Sequence, residues 1–247
     1  MTAAVSSFPG GTSVTLLDVY EDPAPDGVVG GSPHLHLAST ECYVVLNGTG
    51  ALHTLDLSGA REILLSPGTV AWFTPGTIHR AVNHGDLQVL VIMSNAGLPE
   101  AGDAVMTFPA EVVADPERYR EAATLPRRAT VAERARDAAR RRDLAVQGFL
   151  RLRAAMVAGD ATPLRDFYAA ATRLVSDRAH AWESIVRDGP LWQAARSEEM
   201  VRAIVAGSPD HLAEAVVSQA PQPRGERGFG MCGRLRAYNV ADELVRR

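Results

Sequence analysis

The chain has 247 residues, 46% of them hydrophobic and 22% charged, with a formal charge of −4, enough to bury a sizeable core in one large domain or two modest ones. No run of about eighteen apolar residues occurs, so nothing reads as a membrane span, and the start, MTAAVSSFPGG, lacks the basic and apolar regions of a secretory signal, which predicts a cytoplasmic location. Two cysteines, Cys42 and Cys232, are too few for a disulfide framework, and the absence of lysine excludes Schiff-base chemistry on a lysine and a P-loop.

Charge is unevenly spread. Residues 1–110 hold ten acids against Arg61 and Arg80, whereas residues 111–247 hold nineteen acids against 23 arginines. The contrast favours packing of one half on the other or attraction of an anionic substrate, and says little about fold.

Up to about residue 110 the chain consists of short β-prone runs, SVTLLDVY, ECYVVLN, ALHTLDL, REILL, TVAWFT and LQVLVIMS, separated by Gly, Pro, Asn and Ser. Such spacing predicts a sandwich or barrel, and Asn47-Gly48 between apolar runs predicts a tight hairpin. Beyond residue 110 the period changes. Thr130 to Glu133 reads as a capping box opening a helix over about 130–159, with Ala138, Ala145, Phe149 and Leu152 on its apolar stripe. Thr162-Pro163 opens a second helix over about 163–187, which Gly189-Pro190 should break. Further helical patterns cover about 191–206 and 209–219. The tail from Pro221 is rich in Gly and Pro and predicts a loop or lid followed by a short element. The fold class is therefore α+β, a β-domain over 1–110 and a mainly helical region over 111–247.

Four residues carry the chemistry. In a strand, alternate side chains share a face, so His34 and His36 can grip one ion while Leu35 faces away. Glu41 follows across the turn Ala38-Ser39-Thr40, and His79 follows the turn Pro75-Gly76. Three neutral imidazoles and one carboxylate suit one divalent transition metal, Fe, Zn, Mn, Ni or Cu. His53, His84, His180 and His211 read as surface or packing residues, and Cys42, next to Glu41, should point away from the ion.

The order His34-Leu35-His36, Glu41, Gly48, followed by Gly68, Pro75, Gly76, His79 and Asn83, resembles the two motifs of the cupin superfamily over roughly residues 12–98; the proline and glycine of the second motif are adjacent here, a departure in the turn. The resemblance implies a double-stranded β-helix, or jelly-roll, barrel that binds metal through His34, His36, Glu41 and His79. It does not extend to the helical half.

Four protein ligands leave coordination positions for a substrate or dioxygen. An Fe(II)-type dioxygenase acting on a small organic molecule is the favoured expectation, with Glu41 also available as a general base. A non-redox isomerase, cyclase, decarboxylase or lyase is the alternative, and a sensory module without catalysis or a storage role are further readings. Tyr43, Val45, Trp72 and Phe73 are candidates for the pocket wall; Arg80 should face outward and Asn83 reads as structural. The nine arginines of residues 127–153 read as a solvated helix face paired with the acidic half. No nucleic-acid or membrane partner is expected, and homodimerisation through barrel strands is compatible with the superfamily.

Overall fold

The computed structural model describes residues 7–128, 130–240 and 244–246. The first six residues, which contribute to the reading against a secretory signal, lie outside the described residues. Seven strands come first: β1 (Ser13–Val19), β2 (His34–His36), β3 (Glu41–Asp56), β4 (Gly59–Leu65), β5 (Val70–Phe73), β6 (Ile78–Met93) and β7 (Ala104–Met106). Helices α1 (Ala110–Val113), α2 (Pro116–Ala123), α3 (Val131–Val157), α4 (Thr162–Ala179), α5 (Trp182–Val186) and α6 (Trp192–Val205) follow, and then short strands β8 (Val217–Gln219), β9 (Gly228–Phe229), β10 (Gly233–Ala237) and β11 (Leu244–Arg246).

The main sheet runs β4-β3-β6-β1-β10-β9, with β2 joining β6 to β7 and β5 lying on β3. It curls around an interior cluster that includes Leu17, Tyr43, Val45, Leu52, Phe73, Val89 and Cys232. Two long bent strands make this possible. β3 pairs with β6 along nearly its whole length, and the register shifts between Val45 and Gly50. The hairpin predicted at Asn47-Gly48 is therefore a bulged corner inside one strand. Gly48 has φ +74°, and a Cβ there would lie 2.2 Å from the carbonyl oxygen of Asp86, so the dipeptide bends the ribbon and brings it against β6 instead of reversing it. The reversal comes later, at Leu57-Ser58, between the paired residues Asp56 and Gly59.

Outside the barrel a second cluster joins Leu35, Leu55, Ile78, Val105 and Met106 to Phe149, Leu152, Leu164, Phe167 and Trp182. The helices thus cover one outer face of the sheet. α3 starts at the predicted capping box, in which the Thr130 side chain accepts from the Glu133 backbone and the Glu133 carboxylate accepts from Thr130. The Gly189-Pro190 break differs from expectation. α4 ends at Ala179, whereas Arg187–Leu191 continues the chain as a π-helical turn into α6; its wider hydrogen-bond spacing tolerates a residue without an N–H. The helix expected over 209–219 is a single 3-10 turn, Asp210–Glu214, leading into β8.

The tail departs most from its expected loop. β10 pairs with β1 from Thr15↔Ala237 to Val19↔Gly233, and with β9 it extends the barrel sheet. Gly233 allows this approach, since a Cβ there would lie 1.9 Å from the Asp18 carbonyl oxygen.

Candidate metal centre

His34, His36, Glu41 and His79 are brought together, all buried, with one potential ligand atom from each lying within 4.8 Å of the others. Strand register does this. His34 of β2 is paired directly with His79 of β6, and Glu41 opens β3 opposite Met93. Leu35, between the two histidines, turns into the outer cluster and is fully buried there, as alternation requires. Cys42 faces outward, its partner Trp72 being 68% exposed.

The second nitrogen of each imidazole is committed. Nδ1 of His34 meets the Ser32 carbonyl at 2.9 Å, Nδ1 of His79 meets the Thr77 carbonyl at 3.2 Å, and Nδ1 of His36 meets the Asp103 carboxylate at 3.2 Å. These oxygens can only accept, so a proton sits on each Nδ1 and each Nε2 is left to face the cluster. Oε2 of Glu41 lies 3.1 Å from Nε2 of both His36 and His79, yet Glu41 Oε2 and His79 Nε2 have no hydrogen-bond partner. Buried polar atoms that converge without partners are costly unless a further group satisfies them. A divalent cation, with donors at about 2.0–2.2 Å in the case of zinc, meets that requirement, so these residues fit a metal ion.

For His34 the electrostatics agree. Burial and the neighbouring imidazoles hold His34 well below its ordinary pKa, in the neutral form a ligand needs. Burial also acts to lower His36, but the carboxylates of Asp103 and Glu41 outweigh it and push the group up to about 9, so an ion binding at His36 has to displace a proton. Burial alone would raise Glu41; the imidazoles of His79 and His36 overcome it and hold the carboxyl well below the usual carboxylate range.

Asp103 is the residue the sequence did not disclose. Fully buried ahead of β7, it accepts from the backbone N–H of Leu37 (3.0 Å), Ala38 (2.7 Å) and Ser39 (3.1 Å) as well as holding His36. One carboxylate therefore shapes the turn between His36 and Glu41 and orients an imidazole. It lies far outside the two motifs, and no local pattern marks it. The turn before His79 is anchored similarly: the Gly76 N–H donates to the His36 carbonyl at 2.9 Å, and the Tyr168 hydroxyl of α4 donates to the Gly76 carbonyl at 2.8 Å.

Among the wall candidates, Tyr43 and Phe73 are inside, with the Phe73 ring 4.1 Å from that of His79, and Trp72 is outside. Arg80 points away from the cluster as alternation predicts, but it is buried instead of exposed. It pairs with Asp26 at 2.6 Å and donates to the carbonyls of Gly31 and Val28. Asn83 is structural, accepting from the N–H of Gly85 and Leu87 and donating to the Val19 carbonyl. The cluster opens on a cavity of about 330 Å³ whose wall includes Met93, Glu100, Arg141, Phe229, Met231 and Cys232. Helix α3 and the C-terminal tail thus contribute to a chamber that the motifs alone would assign to the barrel. Of Arg140, Arg141 and Arg142, Arg140 keeps to the expected solvated face, where it pairs with Asp137, whereas Arg142 is buried on the carbonyls of Asp22 and Pro23 and Arg141 reaches the cavity.

An antiparallel barrel with three inward histidines and a glutamate at one end defines the class of metal-binding β-barrel domains. The chain carries a cupin domain: residues 21–94 match the family model described as Cupin domain. No curated protein matches the chain. Similar solved structures include the capsular polysaccharide assembling protein CapF from Staphylococcus aureus, 22% identical over 33% of this chain and 23% of that one, with a TM-score of 0.25. WlaRA, a TDP-fucose-3,4-ketoisomerase from Campylobacter jejuni, is 17% identical over 32% and 58%, with a TM-score of 0.28. A cupin superfamily protein from Desulfitobacterium hafniense is 20% identical over 33% and 64%, with a TM-score of 0.27. The chain spans less than two thirds of the length of each of these three proteins. No described helix is long and apolar enough to cross a membrane.

Proposed function

We propose that this protein is a metal-dependent enzyme acting on a small organic molecule held in the cavity beside His34, His36, Glu41 and His79. The observation that carries the reading is the convergence of four buried donor groups, two of them ending in unpartnered atoms, of which His34, His36 and Glu41 line a chamber large enough for a ligand. A divalent ion bound there supplies either Lewis-acid polarisation of a substrate oxygen or, if iron, chemistry with dioxygen. The protein's own contribution is positional. Asp103, Ser32 and Thr77 fix the three imidazoles, while Tyr43, Phe73 and Met93 keep water from the inner side. Glu41 lines the cavity, where a carboxylate released from its imidazole contacts can accept a proton from a substrate hydroxyl.

An Fe(II) oxygenase is the form to test first, with isomerase, cyclase, decarboxylase or lyase chemistry as the non-redox alternative. Natively purified protein is expected to hold about one divalent metal per chain, and His79→Ala to lose it. Protein without metal before or after reconstitution would overturn the proposal. Anaerobic loading with Fe(II), followed by an oxygen-electrode screen of carbonyl and phenolic compounds, separates the two forms. Substrate-dependent oxygen uptake supports the oxygenase, and turnover without uptake assigns the non-redox class.

A further inference from the structure

Buried arginines are rarely left without an anion, because removing a guanidinium from water is costly unless its charge and donors are matched. Arg80 and Arg142 obey the rule. Arg80 has Asp26, and Arg142 has Asp143 at 3.0 Å, each supplemented by backbone carbonyls. Arg141 does not. Its Nη2 donates to the Gly230 carbonyl at 2.6 Å and its Nη1 to the Ala123 carbonyl at 3.3 Å, while Nε is buried with no partner. No carboxylate pairs with it among the described residues, and it lines the same cavity as His34, His36 and Glu41.

Its position is built, not incidental. Arg141, Ala145 and Gly148 lie at i, i+4 and i+7 on the face of α3 that meets the barrel. The Ala145 carbonyl accepts from the Thr107 hydroxyl at 2.9 Å, and the same hydroxyl also lies 3.1 Å from the Pro33 carbonyl, next to His34. At Gly148 the helix backbone comes so close that a Cβ would lie 2.0 Å from the Thr107 carbonyl oxygen. α3 is therefore registered against the segment that carries His34, and Arg141 is held at a fixed place over the chamber.

We propose that Arg141 selects an anionic substrate: its guanidinium receives the carboxylate of a small organic acid whose second polar group faces His34, His36 and Glu41. A guanidinium offers five N–H donors in a planar fork suited to a carboxylate, and its neighbours, two backbone carbonyls and the Tyr20 hydroxyl, are uncharged and leave the charge unmatched. The cavity, about 330 Å³, lies at the small end of the range for ligand sites, about 300–1,000 Å³. Glu100 stands on the same wall but is exposed, so water screens it. The inference rests on the reading of this cavity as the substrate site, but not on which metal is bound or on the reaction.

Calorimetric titration of the full chain, both as purified and after EDTA treatment, tests it with matched pairs that differ in charge: salicylate and salicylamide, benzoate and benzamide, 2-oxobutyrate and 2-oxobutyramide. At least one carboxylate is expected to bind about tenfold or more tighter than its amide in both metal states. Arg141→Gln, which keeps amide donors but removes the charge, should abolish that preference without a large shift in the unfolding midpoint. Arg141→Lys should keep the preference at lower affinity. The absence of a carboxylate preference in the parent protein, or a preference that Arg141→Gln leaves intact, overturns the assignment. Equal loss in both variants with a lowered unfolding midpoint also overturns it, since that pattern belongs to a residue that only holds the tail. Loss of metal in His79→Ala with the preference retained under EDTA supports the assignment and keeps this test apart from that of the metal.

Discussion

At the scale of single residues, the centre depends on buried acceptors that lie outside the motif. Asp103 is the main one, because it satisfies three backbone N–H groups and one imidazole at once. Asp103→Asn is expected to weaken metal binding about 10–100-fold in competition with a chromophoric chelator, as loss of an imidazole's carboxylate partner does. Asp103→Ala should also cost about 3 kcal/mol or more in urea unfolding, since it leaves buried donors unmade; an unchanged unfolding curve would sink the assignment. Asp26 offers a separate pH signature. Burial opposes its ionisation, but the hydrogen bond and charge of Arg80 outweigh this and lower its pKa. A depressed carboxyl stabilises the fold above its unfolded value, near 3.9, and that contribution disappears as pH falls through the folded value. The stability of Asp26→Asn should therefore fall less steeply than the parent's below about pH 4, as measured by unfolding midpoints across the acid range. The four clustered residues themselves were legible because an alternating His-x-His and two turns are local patterns. Asp103 was not, because its partners are backbone groups sixty and more residues earlier.

At the scale of elements, glycines decide where strands and helices approach one another. Gly148 lies inside α3, where alanine would ordinarily gain about 1 kcal/mol of helix propensity. Here the added methyl would meet Thr107 and Phe108 backbone, so Gly148→Ala is expected to destabilise by about 1–3 kcal/mol. A stabilised variant in chemical denaturation would mean that the helix is free to shift. The same reasoning explains the misread of Asn47-Gly48. A hairpin and a bulged corner both need a positive φ, so local sequence cannot separate them; the pairing of β3 with β6 on both sides of the corner does.

At the scale of the whole molecule, the barrel is built from both ends of the chain. β10 covers the edge of β1, and Phe229 to Cys232 wall the cavity. A chain ending at Arg227 would uncover a row of backbone donors and acceptors on β1, the arrangement that promotes edge-to-edge association. Such a truncation is expected to associate in size-exclusion chromatography and to lose cooperative unfolding. A monomer with the parent's midpoint would show that the tail is dispensable.

The sequence by itself determined what alternation and spacing can carry: an antiparallel barrel, a following helical region with a capped α3, and four residues able to share one ion. These follow from periods of two and 3.6 residues and from turn chemistry, all of which act over a few neighbours. Tertiary structure alone decided that Asp103 holds His36, that Arg80 and Arg142 are buried, and that Arg141 and the tail enclose the chamber. Those outcomes depend on which distant backbone carbonyls, N–H groups and carboxylates come within hydrogen-bond reach once the sheet curls, and no local pattern encodes that meeting.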